Sequence, residues 1–136
     1  MINSLKDGVV ARLNELYPTI KVYTENRTHG ISKTAFFVEI EPISIDRPAK
    51  NLEEHHHMVN VTFYQEKDIK NNLYNVLENL GRNLVSCLVD GHEASFLNNK
   101  SSIVDGLLHY QFEVNFMIIL KPEQTGNSMS DIQISI

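Results

Sequence analysis

Histidine is the side chain that most readily does chemistry near neutral pH, as a proton shuttle or a metal ligand. This chain sets three of its six histidines side by side, His55, His56 and His57, inside the stretch LEEHHHMVNVTFYQ. A metal ion or an acid–base pair is the chemistry they would serve, and the residues that follow decide what they can reach. Val59, Val61 and Phe63 alternate with Asn60, Thr62 and Tyr64, a period of two that predicts a half-buried strand. Successive side chains on a strand point to opposite faces, so His55 and His57 share the face of Val59, Val61 and Phe63 while His56 points away. Two imidazoles at i and i+2 can approach one ion, but zinc takes a third ligand and usually a fourth. The sequence has no HExxH or CxxC; His29, His92 and His109 lie far apart in the chain, and Cys87 is the single cysteine. We therefore expect no metal, no cofactor and no catalytic residue, and read the run as a strand end bearing polar aromatic rings at a surface or a subunit contact. The alternative left open is a small cytoplasmic metal-binding protein or enzyme built on His55 and His57.

Other patterns carry less. VDGHE at 89–93 gathers Asp90, His92 and Glu93, but Asp-Gly is first a turn signal, and turns lie at the surface. The glycines form neither GxGxxG nor GxxxxGK[ST], so no phosphate cradle is expected, and there is no GxSxG elbow. Cys87 sits among Leu84, Val85, Leu88 and Val89, the neighbourhood of a small buried residue. A lone cysteine excludes an intramolecular disulfide and suits a reducing cytoplasm. NRT at 26–28 matches a glycosylation acceptor without meaning, since residues 1–17 read as an amphipathic helix and not as a secretion signal. The formal net charge is −5 and no basic stripe is present, so specific nucleic-acid binding is not expected. The longest apolar run, Phe116 to Leu120, is far short of a membrane span.

The positioning elements follow from periodicity. Ile2, Leu5, Val9, Leu13 and Leu16 recur at helical spacing, with Asn3 or Ser4 as the expected cap and Pro18 as the stop. Gly8 weakens this helix. Ile20–Thr24 reads as a short strand. Thr34–Ile45 reads as a second, with Phe36, Val38 and Ile40 on one face; Pro42 confines that part of it to an edge or ends it. DRPAKNLEE is expected to be a loop around Pro48, and the histidine strand comes third. A second helix starts near Asp68, with Ile69, Leu73, Val76, Leu77, Leu80 and Leu84 as its stripe; Gly81 ends or interrupts it. Residues 84–91 fit helix or strand. Asp105-Gly106 is a favoured hairpin turn, ahead of which ASFLNNKSSIV is the expected partner strand. After it Leu108, Tyr110, Phe112, Val114, Phe116, Ile118 and Leu120 share one strand face. The expected fold is α+β: a mostly antiparallel sheet of about four to five strands with two helices packed on one face. Residues 1–122 form a single domain and 123–136 a C-terminal tail.

Three phrases carry a family likeness. MINSLKDGVVARLNELYPTIKVYTENRTHGISKTAFFVEI resembles the N-terminal half of the small bacteriophage tail terminator proteins of prophages and phage-like elements of Gram-positive bacteria. HMVNVTFY resembles the family's strand ending in an aromatic pair. IVDGLLHYQFEVNFMI, residues 103–118, is similar to its closing hairpin. The likeness covers residues 1–120. Thr34-Ala35 departs from it, where members often carry proline, and so does the tail after Pro122.

The resemblance implies a structural protein without enzymatic activity. It would form a homohexameric ring at the head-proximal end of a tail, cap the tail tube protein, stop its polymerisation, and offer a surface to the head or connector. In a contractile tail it would also meet the last ring of sheath protein. DNA would at most pass through. The particle would be a phage or a headless, bacteriocin-like tail assembled in the bacterial cytoplasm, with no membrane involved. Two segments are expected to serve as contacts. The polar stretch SIDRPAKNLEE, with Asp46, Arg47, Pro48 and Lys50, joins two strands with more residues than a tight turn needs. The closing DIQISI, with Ile132, Ile134 and Ile136 alternating, is too short to be stable as a lone strand and would add to a sheet edge of a neighbouring subunit or tail protein.

Overall fold

The computed structural model describes residues 2–24, 33–66, 70–120 and 130–133. Helix α1, Ile2–Leu16, buries Leu5, Val9 and Leu13 completely, the central part of the predicted stripe; Ile2 and Leu16 are half-buried at its ends. Asn3 and Ser4 lie within its first turn and not ahead of it. Helix α2, Lys70–Asn83, runs straight through Gly81. Its buried residues Leu73, Val76 and Leu80 follow the predicted stripe, and Leu84 just beyond is also buried; the predicted start at Asp68 and Ile69 lies outside the described residues.

The main sheet has the order β1-β2-β3-β7-β6, with β8 as a further strand on β7. Its strands are β1, Lys21–Tyr23, β2, Ala35–Ala49, β3, Leu52–Tyr64, β6, Leu97–Val104, β7, Leu107–Leu120, and β8, Ser130–Gln133. Strand β1 pairs in parallel with β2; all other pairs are antiparallel. A separate hairpin of β4, Ser86–Val89, and β5, His92–Ser95, resolves the ambiguous stretch 84–91 in favour of a strand. It also takes the first residues of the expected partner of β7, so β6 begins only at Leu97. The sheet therefore has one strand more than the upper expectation, and the described architecture is α+β as predicted.

One face of the sheet is apolar along most of its length, the exceptions being Glu53, His55 and His57 at one end of β3. Phe36 stands opposite Phe63 and Phe63 opposite Leu108, and from there Tyr110, Phe112, Val114, Phe116 and Ile118 continue along β7, all buried. The helices and the β4–β5 hairpin cover this face in one core. Phe96 stacks on Phe112 at 4.0 Å between centroids, and Tyr17, Phe36 and Phe63 form a chain of tilted rings. The opposite face is polar, with Asn60 accepting a 2.7 Å hydrogen bond from Gln111 and His56 meeting Asn115 at 2.8 Å. Across its strands Glu39, Glu41, Glu54 and Glu113 share this face by register.

Two turns need left-handed backbone. Asp90 and Gly91 have φ of 48° and 82°, and Asp105 and Gly106 have 52° and 76°; each pair makes a two-residue hairpin, where Asp-Gly is favoured for this reason. The expected loop DRPAKNLEE is instead mostly strand. Strand β2 runs on through Asp46, opposite Glu54, to Ala49, opposite Leu52. Register shifts between Pro42 and Ser44 and between Asp46 and Ala49 absorb the residues that a regular ladder would not hold. Pro42 and Pro48 are tolerated because β1 reaches only Phe37, so beyond it the outer edge of β2 has no strand partner among the described residues.

Candidate functional site

The histidine strand divides as its period requires, but its inward half is not at a surface. His55 and His57 are 4% and 0% exposed, because the face they share with Val59 and Phe63 is the core face. His55 stacks on Phe116 with ring centroids 4.9 Å apart, and its Nδ1 lies 2.9 Å from His57 Nε2. On its other side, His55 Nε2 lies 2.9 Å from Glu53 Oε1, and Arg47 across the hairpin is 3.7 Å from the same carboxylate. The result is a chain Glu53–His55–His57, at i, i+2 and i+4 of one strand face, with the two imidazoles buried and the carboxylate half-buried. The arrangement with both rings neutral has His55 Nε2–H donating to the carboxylate and His57 Nε2–H donating to His55 Nδ1. It leaves His57 Nδ1 as a bare lone pair, and that atom has no partner. Burial pushes the His57 imidazole down to about 4, with the charges of His55 and His56 adding to the effect. The hydrogen bond from His55 holds Glu53 below the usual carboxylate range, with Arg47 adding to it.

This chain has the connectivity of a proton relay. A concavity among the described residues lies away from it, on the polar side, lined by Asn60, Thr62, Lys100, Ser102, His109 and Gln111. The imidazoles do not converge on an ion. Their nitrogens face each other, and no group of three or more His, Cys, Asp or Glu among the described residues is placed to hold a metal. Glu53 was absent from the sequence reading of this cluster. The i, i+2, i+4 spacing was its signal. Cys87 is buried and burial pushes its thiol up to about 12, so it stays protonated. Asp90, His92 and Glu93 are exposed around the β4–β5 turn and do not meet.

What remains is a body whose sheet edges have no further strand partner among the described residues. Asp46, Arg47, Pro48 and Lys50 are all exposed on the β2–β3 hairpin, where Ser44 Oγ donates to Asp46 at 3.3 Å. Ile43 and Ile45 beside them are 52% and 51% exposed. Ile132 lies in β8, paired with Ile118 of the same chain; Ile134 and Ile136 lie outside the described residues. Among the described residues no helix is long and apolar enough to cross a membrane.

A family model described as phage tail terminator protein matches residues 4–127. The chain belongs to the phage tail terminator family. The match begins inside α1 and passes through all of the main sheet up to Leu120, the same span whose phrases carried the likeness, and it runs past Pro122 into the stretch that seemed unlike the family. No curated protein matches. A solved structure is similar in fold at 15% identity, covering 90% of this chain and 99% of its own, with a TM-score of 0.50.

Proposed function

We propose that this tail terminator forms a ring of about six copies at the head-proximal end of a phage or phage-like tail. The ring caps the tube protein, halts its growth, and offers the joining surface for a head or connector; in a contractile tail it also meets the last sheath ring. The observation that carries this reading is the family match over residues 4–127. Two features support it. The edges of the sheet are unlike each other, as a heterologous ring contact needs. The polar face bearing Glu39, Glu41, Glu54 and Glu113 suits a lumen wall that lets DNA pass without holding it. The role needs no catalysis, and the closed burial of His55 and His57 favours it over an enzyme or metal protein built on them. Two measurements test it. Sedimentation of the purified protein should give the mass of a closed ring. Particles made without the protein should carry tails of unregulated length. Tails of uniform, normal length in its absence would overturn the role.

A further inference from the structure

We propose that Glu53, His55 and His57 form an acid latch. With both rings neutral it seats the β2–β3 arm, residues 43–57, on β7; one proton taken at His57 Nδ1 releases the arm while the rest of the sheet stays paired. The latch works within one chain, whatever its assembly.

The arm is a distinct end of the sheet. Beyond Phe37 the outer edge of β2 has no strand partner among the described residues. The register shift between Pro42 and Ser44 breaks the β2–β3 ladder at the arm's base. One seam ties the arm to β7, from Leu52 opposite Ile119 to His57 opposite Val114. On the core side of that seam His55 stacks on Phe116 at 4.9 Å, and His57 meets the same ring at 5.6 Å. The two imidazoles are thus part of the surface that holds the arm down, and local opening follows seams of this kind.

The latch takes a single proton. The 2.9 Å contact between His55 Nδ1 and His57 Nε2 holds one hydrogen, and the 2.9 Å contact between His55 Nε2 and Glu53 holds another. Those two are the full complement of two neutral imidazoles. A third that keeps both contacts has one nitrogen left to bind, His57 Nδ1. That atom is buried without a partner. Protonation therefore turns a bare lone pair into a buried N–H with no acceptor, which is costly. Moving the bridging hydrogen onto His55 places the charge beside Glu53 but leaves the His57 Nδ1–H where it is. Release of the arm gives that group water.

The surroundings reinforce this. From β2, Pro42 and Ile45 stand opposite His57 and His55, and Arg47 reaches only Glu53. From β7, Val114, Phe116 and Ile118 share this face, and none of them titrates. Burial first, then the charges of His55, His56 and the amino terminus ahead of α1, push the His57 imidazole down to about 4 from 6.5. The seated arm is favoured in full above 6.5. Below it the released arm gains up to tenfold per pH unit, until pH 4.

Amide hydrogen exchange of the purified protein in low urea, corrected for the intrinsic rate at each pH, tests the latch. Residues 52–57 and 114–119 should exchange through an opening that is more frequent than that of 59–63 and 108–112 and nearly independent of urea. Its equilibrium constant should rise about 30-fold between pH 7.5 and 5, and the rise should vanish in His57→Leu. Magnetic resonance of the ring nitrogens needs no variant: at pH 6 His57 should be neutral with its hydrogen on Nε2. One common opening for all four segments, with one urea dependence, would show that the proton acts only on the whole fold and would overturn the latch. So would an arm opening that is level with pH, a full rise retained in His57→Leu, or a His57 ring charged at pH 6.

Discussion

His57 is a fully buried ring with one nitrogen unpartnered, and that makes it a recorder of acid. Its proton affinity in the folded chain is lowered to about 4 from 6.5. Between those values the unfolded chain binds the proton and the folded chain does not, so its contribution is complete above 6.5 and is lost as pH falls toward 4. At 1.36 kcal/mol per unit the loss is at most about 3 kcal/mol. Glu53, also lowered, weakens the fold in the same direction at lower pH. Urea midpoints should therefore drop between pH 7.5 and 5, and His57→Leu should flatten that drop; a wild-type midpoint that is level over this range would show that the ring is not held neutral. Gly8 makes a second point at this scale. A methyl group there would stand 2.2 Å from the Leu88 carbonyl oxygen, so α1 lies against β4 closer than any side chain allows. Gly8→Ala gains about 1 kcal/mol in helix propensity and meets an overpacking cost of about 1–3 kcal/mol. The net effect should be a lowered melting temperature, and a raised one would mean that α1 stands farther from β4. As a sequence feature Gly8 was legible only as a weakness of the helix, because its cause lies 80 positions away in the chain.

Strand β7 carries the core at the next scale. Phe112 and Phe116 are 0% and 1% exposed, and each Phe→Ala change should cost about 3–5 kcal/mol against a total of about 5–15 for a domain of this size. Chemical denaturation checks it, and two unaffected variants would put the wrong face inward. This strand was readable beforehand, since seven alternating apolar positions after an Asp-Gly turn allow few other structures. The stripes of α1 and α2 were readable for the same reason. The elements that were missed are those whose cause is a neighbour and not a period. The hairpin arm around Pro48 looked like a loop because proline and charge are loop signals, yet an edge without a partner tolerates both. The β4–β5 hairpin is four residues a side, too short for periodicity to separate it from the end of α2. The burial of His55 could be expected from its face, but its stacking on Phe116 and its link to Glu53 come only from the pairing of β3 with β7. β8 was readable as a strand; its pairing with the chain's own β7 was not, because sequence gives alternation and not the identity of the partner edge.

At the scale of the whole molecule, strand order in space departs from strand order in the chain. β7 lies between β3 on one side and β6 and β8 on the other, and its residues 107–120 supply the edge on which β3 and β6 both pair. A chain ending at Val104 should therefore remain unfolded, while one ending at Leu120 should fold; hydrogen exchange of the two would tell, and protected amides in the shorter chain would refute it. There is a consequence for synthesis. A ribosome makes α1, β2, β3, α2 and β6 before it makes the strand that holds them, so from β3 until β7 emerges the nascent chain has the inner edge of β3 and the rings of His55 and His57 uncovered. Long-range pairing of this kind is slow and exposed to aggregation. β7 is the clasp of the main sheet, and no copy can offer a finished edge to another until residues 107–120 have been made.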